Sequence, residues 1–342
     1  MMKNYLEMLI EGKSLQEQEM EEAVQGIFAQ EVSDSEIASF LTGLKSKGET
    51  AEEVSGLVKA IRKHALNFPK RIPDVLDNCG TGGDGSKSFN ISTTSAFVIA
   101  GAGITVAKHG NRSVSSKTGS ADVLEELGIS LDFSPEETEE VLEQNGIAFL
   151  YAPHVHPKLK QIMKVRRDLK IPTIFNLIGP LTNPVQLDYQ LLGIYRRDML
   201  DKFAQVLANL NRKRAIVVNG AGGMDEASLA GENEMVIVTE GEIKRIKLLP
   251  EEVNLPVYDN DSIRGGDARD NADILLHVLK GKKGAYRDTV LMNAGLGIYT
   301  AGKAESILQG VELAAESIDS GRALSKLENL ISLSKQNKKA VG

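Results

Sequence analysis

Through the first 68 residues apolar side chains recur every three or four positions. Leu6 and Ile10 begin the pattern, and Ala23, Ile27 and Phe28 continue it. It returns in Ile37, Phe40, Leu41 and Leu44, and again in Val54, Leu57, Val58 and Ile61. That spacing predicts helices and no strands. Ser14, Ser33 and Thr50 each stand before such a run with a glutamate three residues later (Glu17, Glu36, Glu53), the pattern of a reciprocal helix cap. The segment has neither a glycine-rich loop nor clustered polar groups, so it reads as a packing or dimerisation module.

From Pro73 the pattern changes to short apolar runs alternating with helical stretches, which is α/β organisation. Predicted strands cover residues 74–78, 104–107, 148–151, 191–195 and 215–219, and residues 92–102 form a helix between the first two. Residues 234–249, with Glu240-Gly241 at the tip, predict a β-hairpin, and about 270–336 is again helical. The expected fold is therefore a small helical unit, residues 1–70, and a larger α/β unit, residues 71–342. The larger unit would have a mainly parallel sheet flanked by helices.

Composition narrows the functional classes. The 342 residues are 42% hydrophobic and 25% charged, ordinary for a globular protein. No apolar run reaches the length of a membrane span, and the N-terminus lacks the apolar core of a signal peptide, so a cytoplasmic setting is expected. The single cysteine, Cys79, excludes an intrachain disulfide and a cysteine-built zinc site. A net charge of −7 argues against a nucleic-acid partner, which needs a broad basic surface, but allows a small anionic substrate held by a local cationic cluster.

One segment offers such a cluster. Between the first predicted strand and its helix stand Gly80, Gly82, Gly83 and Gly85, four glycines in six residues. A backbone so free of side chains approaches a ligand closely, its N–H groups converge on an anion, and the helix start adds more. Gly80-x-Gly82-x-x-Gly85 matches the dinucleotide fingerprint in letters only. Six residues, Ser86 to Ile91, intervene before Ser92, and the second strand ends in Lys108-His109 instead of an acidic ribose ligand. The P-loop pattern fails because Ser86 separates Gly85 from Lys87. The competing interpretation is a glycine-rich surface turn.

In a right-handed β-α-β unit the second strand delivers Lys108 to Ser120 beside this loop, with Lys108, Arg112 and Lys117 supplying charge. Adjacent carboxylates Asp225-Glu226 follow another predicted strand and suit an oxygen-preferring cation bridging to phosphate, though an acidic turn capping a helix is commoner. On a helix from about Pro157, Arg166 or Arg167 suits a carboxylate substrate, the ordinary alternative being a surface ion pair. His154-x-His156, between two prolines, reads as loop, with His156 a candidate border of the acceptor pocket.

These residues together resemble the anthranilate phosphoribosyltransferase family. The likeness rests on Asp77 to Thr93, Lys108 to Ser120, Val165-Arg166, Phe175 to Pro184 and Asp225-Glu226, and runs in order to about residue 330. It implies a phosphoribosyltransferase-like fold in which helices from about 157–185 join residues 1–70, and a homodimer. It also implies Mg²⁺-dependent transfer of phosphoribose from phosphoribosyl pyrophosphate to anthranilate, the second step of tryptophan synthesis from chorismate. Carried over, Gly80, Gly83, Asp84, Ser88, Asn90, Ile91, Ser92 and Thr93 would hold the donor, with Lys108, His109, Gly110, Asn111, Arg112, Ser113, Val114, Ser115, Ser116 and Ser120. Ser92, Asp225 and Glu226 would ligate two Mg²⁺ ions. Asn111 and Arg166 would bind anthranilate beside His109, Gly179 and Pro180, with Lys108, His109 and Arg166 nearest the chemistry. Two positions depart from the family pattern: Ser88 where threonine is frequent, and Pro172 where arginine is. The alternatives are a pyrimidine nucleoside phosphorylase, which would carry a lysine-histidine-serine phosphate loop, and a non-catalytic nucleic-acid-binding relative, which would have lost the acidic pair.

Overall fold

The computed structural model describes residues 2–112 and 118–340. Four helices open the chain: α1 (Met2–Ile10), α2 (Glu17–Phe28), α3 (Asp34–Lys47) and α4 (Ala51–Lys63). Two of the three expected caps form as read. The Ser33 hydroxyl accepts the Glu36 N–H at 3.3 Å while Glu36 accepts the Ser33 N–H at 2.9 Å. Thr50 and Glu53 repeat the exchange at 3.1 and 2.8 Å. The first cap lies two residues beyond Ser14, where the Gln16 N–H donates to Glu19 at 2.8 Å. The cause is Leu15, buried to 1% exposure with its N–H on Glu53 at 2.9 Å, which keeps the chain extended until Gln16.

Then follow β1 (Val75–Gly80), α5 (Ile91–Gly101), β2 (Thr105–Gly110), α6 (Ser120–Glu126), α7 (Pro135–Asn145), β3 (Ile147–Tyr151), α8 (Ala152–Val155), α9 (Lys160–Leu169) and β4 (Tyr189–Gly193). The chain continues through α10 (Leu200–Asn209), β5 (Arg214–Asn219), the hairpin β6 (Asn233–Thr239) and β7 (Glu242–Leu248), and α11 (Ala268–Leu279) to α14 (Arg322–Ala340), with α12 (Ala285–Thr300) and α13 (Ile307–Asp319) between. One sheet holds all the strands in the order β3-β2-β1-β4-β5-β6-β7. The first five are parallel and the hairpin adds antiparallel at the edge. Strand order reverses between β1 and β4, and such a reversal opens a crevice at the carboxyl ends of the strands.

Alternate residues of the central strands feed two cores. Leu191, Ile216, Val218 and Met235 pack with the helices after β7 and with α5. Leu192, Val217, Val236 and Val238 pack with α10 and the N-terminal bundle, a core that also takes Ile162 and Val165 of α9. Period-two alternation thus ties the helical unit to one face of the sheet. At the bundle's centre Glu53, wholly buried, accepts from the N–H groups of Leu15 and Thr50 and from Lys47 Nζ at 2.8 Å. Removing one partner of a buried pair leaves the other charge uncompensated. Glu53→Ala should therefore destabilise the protein by about 3 kcal/mol in urea unfolding; an unchanged midpoint would refute the central role of this carboxylate.

Candidate active site

The loop after β1 is built for close backbone approach. Gly82, Gly83 and Gly85 have φ of 69°, 83° and 75°, and Lys87, at 56°, is also left-handed. Alternation of this kind turns successive N–H groups to one side. The Gly82 N–H donates to Asp225 Oδ2 at 2.5 Å. Asp84 braces the loop by accepting from the N–H and hydroxyl of Ser86 at 3.0 and 2.9 Å, and the Ser86 and Ser88 hydroxyl oxygens lie 3.2 Å apart. A third segment supports the far side: the Phe89 N–H donates to Ile263 O at 3.0 Å and the Gly265 N–H to Lys87 O at 2.9 Å.

Strand β2 runs three residues beyond its expected end, so Lys108, His109 and Gly110 are strand residues. Lys108 is 3% exposed, and its Nζ donates to the Asn78 carbonyl at 2.8 Å. Asn78 donates in turn to the Ser92 carbonyl at 2.8 Å. Asp77 lies wholly buried beneath, accepting from the His109 N–H at 3.2 Å and from Asn183 Nδ2 at 3.0 Å. Burial pushes its carboxyl up to about 6, against the pull of nearby Lys108 and Asn183. At the start of α5, Asn90 occupies the cap position, Ile91 is buried, and the Thr93 hydroxyl is buried without a hydrogen-bond partner.

The acidic pair does not cap a helix. After β5 the chain turns at residues 220–223 and crosses the tips of β4 and β1, whose last residues, Gly193 and Gly80, are aligned neighbours. A Cβ on Gly193 would lie 2.6 Å from the Asp225 carbonyl carbon and overlap its oxygen, and one on Gly80 would lie 2.7 Å from that oxygen. Asp225 and Glu226 are held up by burial first. Each other's charge and Asp84 add to this at Asp225, and Glu226 reaches about 7 despite Lys108 and hydrogen bonds from the Ser92 N–H and hydroxyl. Asp225, buried, and Glu226, half-buried, are both raised chiefly by desolvation and together form a site short of positive charge. Its donors are all oxygen, which fits Mg²⁺. Among the described residues no three His, Cys, Asp or Glu side chains form a closed metal cage, and Mg²⁺ usually completes its shell with water and substrate phosphate.

On the other side of β2, His109 Nδ1 lies 3.1 Å from the Gly179 carbonyl, and Gln190 donates to the Pro180 carbonyl at 2.6 Å. His156 packs edge-on against His109 at 5.4 Å between ring centroids. Arg166 is half-buried, 5.4 Å over the Phe175 ring and 3.3 Å from Asn176 Oδ1, with no carboxylate partner among the described residues. It makes no hydrogen bond to Asn111. Arg112 turns outward onto Asp122 and Glu125 at 2.9 and 2.6 Å, and Ser120 donates to the Asn111 carbonyl at 3.2 Å. Ser113, Val114, Ser115 and Ser116 lie outside the described residues. A groove of about 700 Å³ between α9 and the end of α2 is lined by Lys158, Lys160, Lys164 and Arg167 but by none of these residues.

Residues 72–324 match the α/β domain of a glycosyl transferase family, and residues 3–65 match its helical bundle domain. Anthranilate phosphoribosyltransferase of Exiguobacterium sibiricum is 61% identical over 98% of this chain and 99% of its own length. The chain belongs to the anthranilate phosphoribosyltransferase family. Among solved structures, the family member from Thermus thermophilus is 38% identical, covers 97% of this chain and 99% of its own, and superposes with a TM-score of 0.91. The Saccharomyces cerevisiae member in complex with PRPP and Mg is 28% identical with a TM-score of 0.89, covering 98% of each chain.

Several residues that shape this family site escaped the sequence reading. Asn78, Asp77 and Asn183 orient the two strand tips, and Gly193 makes room for the acidic turn. Asp77 stood in the glycine stretch but had no visible partner, because Asn183 is 106 residues away. Burial holds His156 down at about 4 and His109 at about 3, so both rings are neutral at physiological pH. A histidine whose folded value lies below its unfolded one loses stability for the fold as pH falls through 6.5. For His156, 6% exposed, the loss reaches about 2 kcal/mol by pH 5. Melting curves at pH 7.5 and 5 should therefore show a smaller acid-side drop in His156→Gln than in the wild type, and equal drops would contradict the assignment.

Proposed function

We propose that the chain transfers the phosphoribosyl group of 5-phosphoribosyl 1-pyrophosphate to the amine of anthranilate, releasing pyrophosphate and N-(5-phosphoribosyl)anthranilate. The observation that carries this reading is the convergence of the Gly82 N–H, Lys108 and Glu226 on one pair of strand tips. Yeast members of the family have been solved with PRPP and Mg and with 4-fluoroanthranilate. In this reading residues 71–342 bind the donor, while residues 1–70 with segments of 157–185 carry the acceptor side. The enzyme works as a cytoplasmic homodimer through the helical unit. No helix of the described residues is long and apolar enough to cross a membrane.

Displacement at the ribose C1 builds positive charge on the sugar and negative charge on the departing oxygens. The glycine-loop N–H groups and Lys108 stand where that negative charge grows, so they stabilise it more in the transition state than in the ground state. Two Mg²⁺ ions, held by Ser92, Asp225 and Glu226, would neutralise the leaving pyrophosphate. The aromatic amine is already unprotonated at neutral pH, and the neutral His109 need not act as a strong base. Arg166, half-buried and without a carboxylate partner among the described residues, binds the anthranilate carboxylate and aims the amine, which is where orientation lowers the barrier. Closing the acceptor side over the donor excludes water that would hydrolyse it.

Anthranilate fluorescence should fall when PRPP and Mg²⁺ are added together to the enzyme, and a signal that needs inorganic phosphate and a nucleoside instead would favour the phosphorylase alternative. Arg166→Ala should raise the anthranilate KM by about tenfold or more with the donor KM little changed, and an equal rise in both would remove the acceptor assignment. Asp225→Ala and Glu226→Ala should each abolish Mg²⁺-dependent turnover; full activity in both would end the metal assignment.

A further inference from the structure

The acidic turn is gripped from behind by a residue with no place in the donor site. Asn293, on α12, is 1% exposed. Its Oδ1 accepts the Ala227 N–H at 2.9 Å, and its Nδ2 donates to the Ala227 carbonyl at 2.9 Å and to the Thr289 carbonyl at 3.0 Å. Ala227 follows Glu226 directly and is wholly buried. On the opposite side the turn rests on Gly193 and Gly80, where no side chain fits. None of the hydrogen bonds of Asn293 goes to the glycine loop, to Lys108 or to either carboxylate.

We propose that Asn293 is a positioning residue for Asp225 and Glu226, setting the depth at which the two carboxylates stand above the strand tips. The inference rests on reading that pair as the Mg²⁺ site. The position requires one acceptor and two donors within a side chain of fixed length, and among short side chains only the amide of asparagine supplies them. Aspartate retains the bond from the Ala227 N–H but presents a second oxygen to the Ala227 carbonyl. Alanine leaves both backbone groups of Ala227 without partners in a dry core. A buried backbone group deprived of its bond costs enough to drive rearrangement, and the element free to move is the turn that carries the carboxylates. Mg²⁺ requires near-ideal octahedral placement of its oxygens, so a small shift of that turn weakens the cation before it disturbs the remainder of the fold.

The test is a titration with Mn²⁺ followed by electron paramagnetic resonance, on the purified full-length enzyme with inorganic pyrophosphate and no acceptor, so that no turnover contributes. Asn293→Asp and Asn293→Ala should weaken Mn²⁺ binding by about 10- to 100-fold, the range seen when supporting partners of metal ligands are removed. The anthranilate KM at saturating Mg²⁺ should stay at the wild-type value, since Arg166 is untouched. Unchanged Mn²⁺ affinity in a folded Asn293→Asp protein overturns the inference, and so does a rise in anthranilate KM by the same factor as the loss of Mn²⁺ affinity. If neither variant folds by circular dichroism, Asn293 supports the core alone and the inference is likewise overturned. Retention of Mn²⁺ binding in Asp225→Ala would instead sink the metal reading of the pair, a result separable from failure at Asn293.

Discussion

The site depends on holding two adjacent carboxylates, Asp225 buried and Glu226 half-buried, where the sheet reverses its strand order. Asp225 and Glu226 leave β5 and lie across β4 and β1 instead of turning out to solvent, which demands bare backbone at both tips they cross. Once there, like charges in a dry site must be compensated. The Gly82 N–H reaches Asp225, Ser92 reaches Glu226, and the Lys108 charge acts on Glu226 while its Nζ is tethered to the Asn78 carbonyl. The glycine loop, the start of α5 and the end of β2 are therefore not three separate features. They are the three sources of positive potential that make the acidic turn tolerable, and they still leave it underneutralised.

That deficit reconciles an acidic chain with an anionic donor. A protein of net charge −7 cannot attract a pyrophosphate by its overall field. In the proposed reading it offers instead a narrow cluster of amides and one buried lysine, beside carboxylates that would repel the donor until a divalent cation lies between them. Donor and cation consequently favour each other's binding, because each supplies the charge the other lacks.

Much of this was legible in the sequence, for reasons that differ by element. The helical bundle announced itself because its apolar spacing and caps are local, and only the Ser14 cap slipped, displaced by a long-range bond from Leu15 to Glu53. The glycine loop, Lys108 and the acidic pair were visible as runs of unusual composition next to predicted strands. What stayed hidden was pairing. β4 lies beside β1 although more than a hundred residues separate them, so nothing local marked Gly193 as a support for Asp225. The expected strand at 191–195 ran two residues too far because its apolar run continues past the tip that Gly193 has to form. Arg112, which the family resemblance marks as a donor ligand, is paired in the structure with Asp122 and Glu125.

The proposed acceptor side raises a different physical question, since Arg166 sits on a helix whose core is shared with the N-terminal bundle while the proposed donor site lies at the strand tips. Something must hold the two in register, and Asn183 has the geometry for it. Wholly buried, it donates to Asp77 at 3.0 Å and to the Ala107 carbonyl at 2.8 Å, and accepts the Val185 N–H at 3.0 Å. One amide thereby fastens the end of the segment that carries Gly179 and Pro180 to both β1 and β2, directly beneath Lys108 and His109.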